Sequence, residues 1–138
     1  MIKTPFLAVD GIVEIYNDEN IFQGIVLIER LNTPNGIAIP GGFVDIGESV
    51  ETAVIREMKE EISLDVTIES LLGVYSDPKR DSRFHCVSIA YVCRAFGVPV
   101  GADDAKEAFV YRLEDIPYDK LVFDHAKIIR DYCSTKQD

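Results

Sequence analysis

The feature that most constrains this chain is one long helical pattern, residues 49–62, placed directly behind a glycine-rich loop. Val54, Met58 and Ile62 recur at four-residue spacing, which predicts one apolar helix face packed on a core. Ser49 is suited to cap the first turn by accepting a backbone hydrogen bond. No second helix of this kind is indicated in the first half of the chain, so the other elements there are expected to be strands.

The rest of the chain supplies those strands and one more helix. Six runs rich in β-branched and other apolar residues are predicted strands: residues 6–15, 21–30, 37–39, 66–75, 84–96 and 108–113. The first two flank a turn-forming Asn-Asp-Glu-Asn cluster and therefore predict a hairpin. A loop is predicted at 40–48, and a final helix at 124–133 with Asp124 as its N-cap.

This order of elements predicts an α/β domain in which helices cover a mixed, largely antiparallel sheet. A doubly wound parallel fold is disfavoured, because strict alternation of strands and helices is absent. With 138 residues, the chain is expected to form a single domain spanning 1–138.

Composition narrows the classes of function. Fourteen basic and 24 acidic residues give a net charge of -10, which repels a nucleic-acid backbone. The longest apolar stretches fall short of the roughly 18 residues that a membrane-spanning helix needs. No secretory signal is visible and the three cysteines show no metal-finger spacing, so we expect a cytoplasmic protein with reduced thiols. An acidic protein still binds a small phosphate ester if it holds divalent cations.

Three acids crowd one side of the long predicted helix. Glu57, Glu60 and Glu61 fall within an arc of about 100°, where like charges disfavour the helix. Two explanations remain open at this point. Either the acids face solvent, with Arg56 pairing with Glu60, or they hold hard divalent cations, which prefer oxygen ligands.

The preceding loop favours the second explanation. Residues 40–48 read Pro-Gly-Gly-Phe-Val-Asp-Ile-Gly-Glu, and the adjacent Gly41 and Gly42 let the backbone come close to a phosphate or a metal.

Taken together, loop and helix resemble a known signature. Gly42, five residues, Glu48, seven residues and then Arg-Glu-Met-Lys-Glu-Glu from position 56 is similar to the Nudix box. That box marks hydrolases of nucleoside diphosphates linked to another moiety, whose fold is an α/β/α sandwich. Ser63 stands where the family usually has glycine, so we expect a left-handed helix end there that costs on the order of 1 kcal/mol.

The resemblance also implies roles for the acids. Glu57 and Glu61 would be direct ligands of Mg²⁺, or of Mn²⁺. Glu60 would contribute directly or through water, and the Gly41 carbonyl would complete the shell.

Three further residues take roles by the same resemblance. Arg56 would orient a glutamate, and Glu48 would tie the loop to the helix. Glu107, in the later acidic segment 102–108, is the candidate general base.

A second resemblance concerns the substrate. Pro78, followed by Arg80 and Arg83, is similar to the ADP-ribose pyrophosphatase branch. It implies hydrolysis of ADP-ribose to AMP and ribose 5-phosphate by a homodimer, with Gly42, Arg80 and Arg83 near the substrate. His125 is expected to start the last helix, and no aromatic residue can be singled out for base stacking.

Two alternatives remain. One is a Nudix hydrolase of another nucleotide, such as an oxidised nucleoside triphosphate or a dinucleoside polyphosphate. The other is a nucleotide-sensing module without catalysis.

Overall fold

A computed structural model describes residues 1–136, so the last two residues of the predicted domain, 137 and 138, lie outside the described residues. Its strands are β1 (Phe6–Tyr16), β2 (Phe22–Arg30), β3 (Ile37–Ala38), β4 (Gly41–Phe43), β5 (Thr67–Tyr75), β6 (Cys86–Phe96) and β7 (Ala105–Tyr111). The helices are α1 (Val50–Ile62) and α2 (His125–Ser134). Two short 3₁₀ turns, Leu113–Asp115 and Tyr118–Lys120, lie between β7 and α2. In this described part, no helix has the length and apolar character to cross a membrane.

The strands form one mixed sheet in the order β3-β2-β1-β6-β5. Strands β1 and β6 run parallel along their whole length, whereas the other described pairs are antiparallel. Off this path, β4 pairs with β1 and β7 pairs with β2. The predicted hairpin and the largely antiparallel sheet are both confirmed.

Each face of the sheet is covered by one helix. Val9 and Val13 of β1 lie in one buried cluster with Met58 of α1. Ile12 projects to the opposite face, because side chains alternate along a strand, and lies in a second cluster with Ile129 of α2. Burying each such side chain contributes about 1.5 to 3 kcal/mol. The layers are those of an α/β/α sandwich.

The two ends of α1 have the conformations that the sequence predicts. The Ser49 hydroxyl accepts a hydrogen bond from the Thr52 amide at 3.1 Å, as expected for an N-cap. Ser63 has φ 62° and ψ 32°, the left-handed conformation predicted for it. Its hydroxyl donates to the Val100 carbonyl at 3.0 Å, which offsets part of the conformational cost.

Two local predictions were wrong, and that of Asp124 as N-cap is confirmed in position only. Residues 41–43 form strand β4, not loop, because β1 offers them backbone partners at Ala8, Val9 and Asp10. Strand β7 begins at Ala105, three residues early, because its pairing with β2 continues to Arg30. Asp124 makes no capping hydrogen bond, since its carboxylate binds Arg80 instead.

Candidate active site

A cavity of about 280 Å³ opens between α1, β4, the loop before β6 and the start of α2. Its wall carries carboxylates from several elements: Asp10, Asp45, Glu57, Glu61, Asp81 and Asp104. It also carries three guanidinium groups, those of Arg30, Arg80 and Arg83. A strongly acidic protein thus gathers both signs of charge around one space.

Glu61 is a buried acid without a compensating charge. It is only 5% exposed, and its Oε1 accepts a hydrogen bond from the Gly41 amide at 3.1 Å. No Lys, Arg or His within residues 1–136 forms an ion pair with it. Burial, together with the charges of Glu57 and Asp10, raises its pKa to about 8. A nearby cation would therefore favour its anionic form at neutral pH.

Glu57 lies beside it, one helical turn earlier. Burial raises its pKa, although Arg56 Nη1 donates to its Oε1 at 2.8 Å. Gly42 makes room for this side chain, because a Cβ atom there would lie 2.3 Å from the Glu57 carboxylate. The glycine is thus needed for close approach rather than for a special backbone angle.

Arg56 connects the acids that surround it. Its Nε donates to Glu48 Oε2 at 2.7 Å and its Nη2 to the Phe43 carbonyl at 3.0 Å, so the helix is tied to the loop. Its Nη1 also reaches Glu60 at 3.1 Å. The hydrogen bonds from Arg56 lower the pKa of Glu48 to about 2.

The predicted residues separate into three groups. Gly41, Gly42, Glu57, Glu61, Arg80 and Arg83 line the cavity. Glu48, Arg56 and Glu60 adjoin it through their mutual contacts. Glu107 lies on β7, exposed and away from the residues that line the cavity, so its role as general base stays a prediction.

The two predicted arginines differ in their surroundings. Arg80 is held by both oxygens of Asp124, at 2.7 and 2.9 Å, and its side chain is 5% exposed. Arg83 is likewise held by both oxygens of Asp81, at 3.0 and 2.8 Å, but its side chain is 38% exposed. Arg80 is therefore occupied within the wall, whereas Arg83 keeps an open edge.

Sequence reasoning missed Asp10, and it took His125 only as the start of a helix. Asp10 is 7% exposed and accepts a short hydrogen bond from Ser88. His125 Nδ1 accepts from the Ile39 amide at 2.9 Å, so neutral His125 carries its proton on Nε2, 3.9 Å from Asp10. Burial lowers the pKa of His125. An acid inside an apolar strand was the available signal for Asp10.

A second, more open cavity of about 570 Å³ lies beside Tyr75, Lys127 and Asp131. It shares Arg80 and Phe123 with the first cavity, but none of the predicted metal ligands lines it. We therefore take the smaller cavity as the candidate site.

The donor set fits a hard divalent cation. Glu57 and Glu61 offer carboxylate oxygens, and Mg²⁺ commonly takes one or two carboxylates and completes its shell with waters and other oxygens. In the described part of the chain, no three His, Cys, Asp or Glu side chains already stand as a ready metal site. A cation held by Glu57 and Glu61 would take its remaining oxygens from other donors, such as water or the main chain.

Known proteins resemble this chain in sequence and in fold. The model of the NUDIX domain matches residues 5–132. An ADP-ribose pyrophosphatase of Methanocaldococcus jannaschii is 50% identical over 135 residues, which cover 96% of this chain and 75% of that protein.

Two solved structures agree in fold. A MutT/nudix family protein of Enterococcus faecalis is 29% identical with a TM-score of 0.82; the match covers 100% of this chain and 64% of that one. A bifunctional NMN adenylyltransferase/ADP ribose pyrophosphatase of Francisella tularensis, complexed with AMP and a manganese ion, is 26% identical with a TM-score of 0.80. That match covers 97% of this chain and 42% of the other, so the chain spans less than two thirds of either solved protein.

Proposed function

Because this chain belongs to the NUDIX domain family of hydrolases, we propose that it catalyses the Mg²⁺-dependent hydrolysis of ADP-ribose to AMP and ribose 5-phosphate. Water attacks one phosphorus of the diphosphate, and a phosphomonoester leaves. The relative from M. jannaschii supports the choice of substrate, and the AMP and manganese in the F. tularensis structure are consistent with it.

The observation that carries the proposal is the buried, unpaired Glu61 beside Glu57, facing arginines across one cavity. Carboxylates without a cation are costly to bury. Bound Mg²⁺ would satisfy them, neutralise charge on the diphosphate and lower the pKa of water.

The chain's own residues position this chemistry. Glu57 and Glu61 would hold the cation, with the Gly41 carbonyl and Glu60 as further oxygen donors. Arg56 fixes the Glu57 carboxylate through Nη1, and Glu48 fixes Arg56 in turn. Such fixed groups need no reorganisation during the reaction.

The general base is a separate part of the proposal. Glu107 remains its predicted source, although Asp104 of the same segment is the acid that lines the cavity. Turnover by Glu107→Gln at the wild-type rate would remove Glu107 from the mechanism.

A substrate panel tests the activity. Purified protein is incubated with ADP-ribose, an oxidised nucleoside triphosphate and a dinucleoside polyphosphate, with Mg²⁺ or with EDTA, and the products are identified by mass spectrometry. We expect AMP and ribose 5-phosphate from ADP-ribose, only with metal. Cleavage of the triphosphate alone would replace the substrate, and saturable binding without turnover would favour a sensing module.

Two further elements complete the proposal. We expect a homodimer, which light scattering coupled to size exclusion would measure, and a cytoplasmic location, which fractionation of the source cells would check.

A further inference from the structure

We propose that Arg30 and Arg83, both stacked on Phe123, form the subsite that binds the phosphate groups of the substrate. Arg30 and Phe123 are the new members of this subsite, and Arg80 is excluded from it. The inference rests on the proposed function for the identity of the substrate, but the subsite itself rests on geometry.

Arg30 is held by neutral groups. Its Nε donates to the Pro34 carbonyl at 2.8 Å, and its Nη2 lies 3.5 Å from the Thr33 carbonyl. Among the described side chains, no carboxylate lies within ion-pair distance of it. Asp104, Glu61 and Asp81 act on it only from farther away. Its position is therefore fixed while its charge stays available for an anion.

Arg83 brings a second positive charge to the same ring. The guanidinium carbon of Arg30 lies 5.1 Å from the Phe123 ring centre, and that of Arg83 lies 5.3 Å from it. The two guanidinium groups repel each other. Burial and the charge of Arg83 both lower the pKa of Arg30. Like charges gathered in a cavity are stabilised when an anion binds between them.

Phe123 holds both guanidinium groups. Its φ is 55°, a left-handed conformation that bulky side chains rarely adopt. The residue lies two positions before α2, and its ring lines the cavity. Strained residues of this kind persist where the surrounding structure imposes them, often at ligand sites.

The chemistry of the ligand follows from the donors. Planar guanidinium groups match the oxygens of a phosphate, and charge-assisted hydrogen bonds of this type are stronger than neutral ones. Arg80 cannot contribute in the same way, because its side chain is 5% exposed and all three of its guanidinium nitrogens already donate, two to Asp124 and Nη1 to the Cys86 carbonyl. Arg83 also pairs with a carboxylate, but only through Nε and Nη2. A phosphate between Arg30 and Arg83 would lie in the same cavity as Glu57 and Glu61, where the cation is proposed.

Calorimetric titration with inorganic pyrophosphate in the presence of Mg²⁺ tests the subsite. We expect Arg30→Gln to weaken binding about tenfold or more, as for the loss of a hydrogen bond between charged groups. Arg112→Gln removes the same charge from a site at which the side chain is 70% exposed and pairs with Glu114. This control should bind pyrophosphate as the wild type does.

A second variant covers the risk of misfolding, which circular dichroism would detect. Arg30→Lys keeps the charge but loses the planar donors, so it should weaken binding by a smaller factor. Wild-type affinity in a folded Arg30→Gln or Arg30→Lys variant, or equal losses in Arg30→Gln and Arg112→Gln, would overturn the inference.

Enzyme kinetics separate this inference from the proposed function. If wild-type protein cleaves ADP-ribose and Arg30→Gln does so with unchanged KM, the subsite is wrong and the function stands. If ADP-ribose is not cleaved but Arg30→Gln still loses pyrophosphate, the function is wrong and the subsite stands.

Discussion

Two glutamates, one on each side of the sheet, are buried to nearly the same extent but have different surroundings. Glu14 is 4% exposed and Glu61 is 5% exposed. The Glu14 carboxylate accepts from the Tyr132 hydroxyl and from Lys136 Nζ, each at 2.6 Å. Glu61 receives one backbone amide and has no described cationic partner. Burial alone therefore does not distinguish the two acids, and on the proposed function the acid that matters is the one without a compensating charge.

The largest contrast should come from exchanging each acid for its amide. We expect Glu61→Gln to reduce turnover about a thousandfold, because the proposed cation loses one of its two carboxylate ligands, while the fold stays intact. Glu14→Gln should keep its turnover per folded molecule but lose about 1 to 3 kcal/mol of stability. Steady-state kinetics and urea unfolding measure the two effects. Equal losses of turnover would remove the distinction.

The pH dependence of stability sharpens the same contrast. The folded-state pKa of Glu61, about 8, lies above its ordinary value, so between pH 5 and 8 the folded form binds more protons than the unfolded form. In EDTA, the contribution of Glu61 to the free energy of unfolding should fall as pH rises through that range, by on the order of 3 kcal/mol. Urea unfolding of wild type and Glu61→Gln at several pH values isolates the difference. Parallel curves would contradict the account.

The space behind Glu57 offers a smaller test. A Cβ atom on Gly42 would displace the Glu57 carboxylate, which ends a flexible side chain, so Gly42→Ala should lower turnover about ten- to a hundredfold with little change in stability. Gly73→Ala is the control, because its Cβ would meet nothing nearer than 3.5 Å. Similar kinetics in both variants would show that the fit at Gly42 is unimportant.

The smallest effect is expected at the end of α1. Ser63→Gly relieves a left-handed residue but loses the hydrogen bond to Val100, so stability should rise by less than about 1 kcal/mol. Turnover should be unchanged, because Ser63 is not among the residues that line the cavity. A marked loss of activity would assign Ser63 a role that its contacts do not indicate.

Local spacing explains what the sequence could predict. The acids of α1 fall on one side because helix geometry fixes residues three and four apart, and the caps at Ser49 and Ser63 depend on their immediate neighbours. The Nudix resemblance added the α/β/α sandwich and the roles of the acids. These features need no knowledge of distant contacts.

Distant contacts explain the rest. Strand β4 forms only because β1 supplies partners more than thirty residues earlier in the chain. Arg30 and Phe123 meet through the packing of β2 against the segment before α2, which no local pattern encodes. His125 reaches Asp10 in the same way. Cavity residues brought together from distant segments, such as Arg30, Phe123 and Asp10, were thus harder to foresee than the acids of α1.

Binding of Mn²⁺, followed by electron paramagnetic resonance, tests the central claim most directly. Wild-type protein, Glu14→Gln and Glu61→Gln are titrated under identical conditions. The account predicts that wild type and Glu14→Gln bind the ion with equal affinity and that Glu61→Gln binds it at least about tenfold more weakly. Equal binding by Glu61→Gln and wild type, or no binding by the wild type, would contradict it.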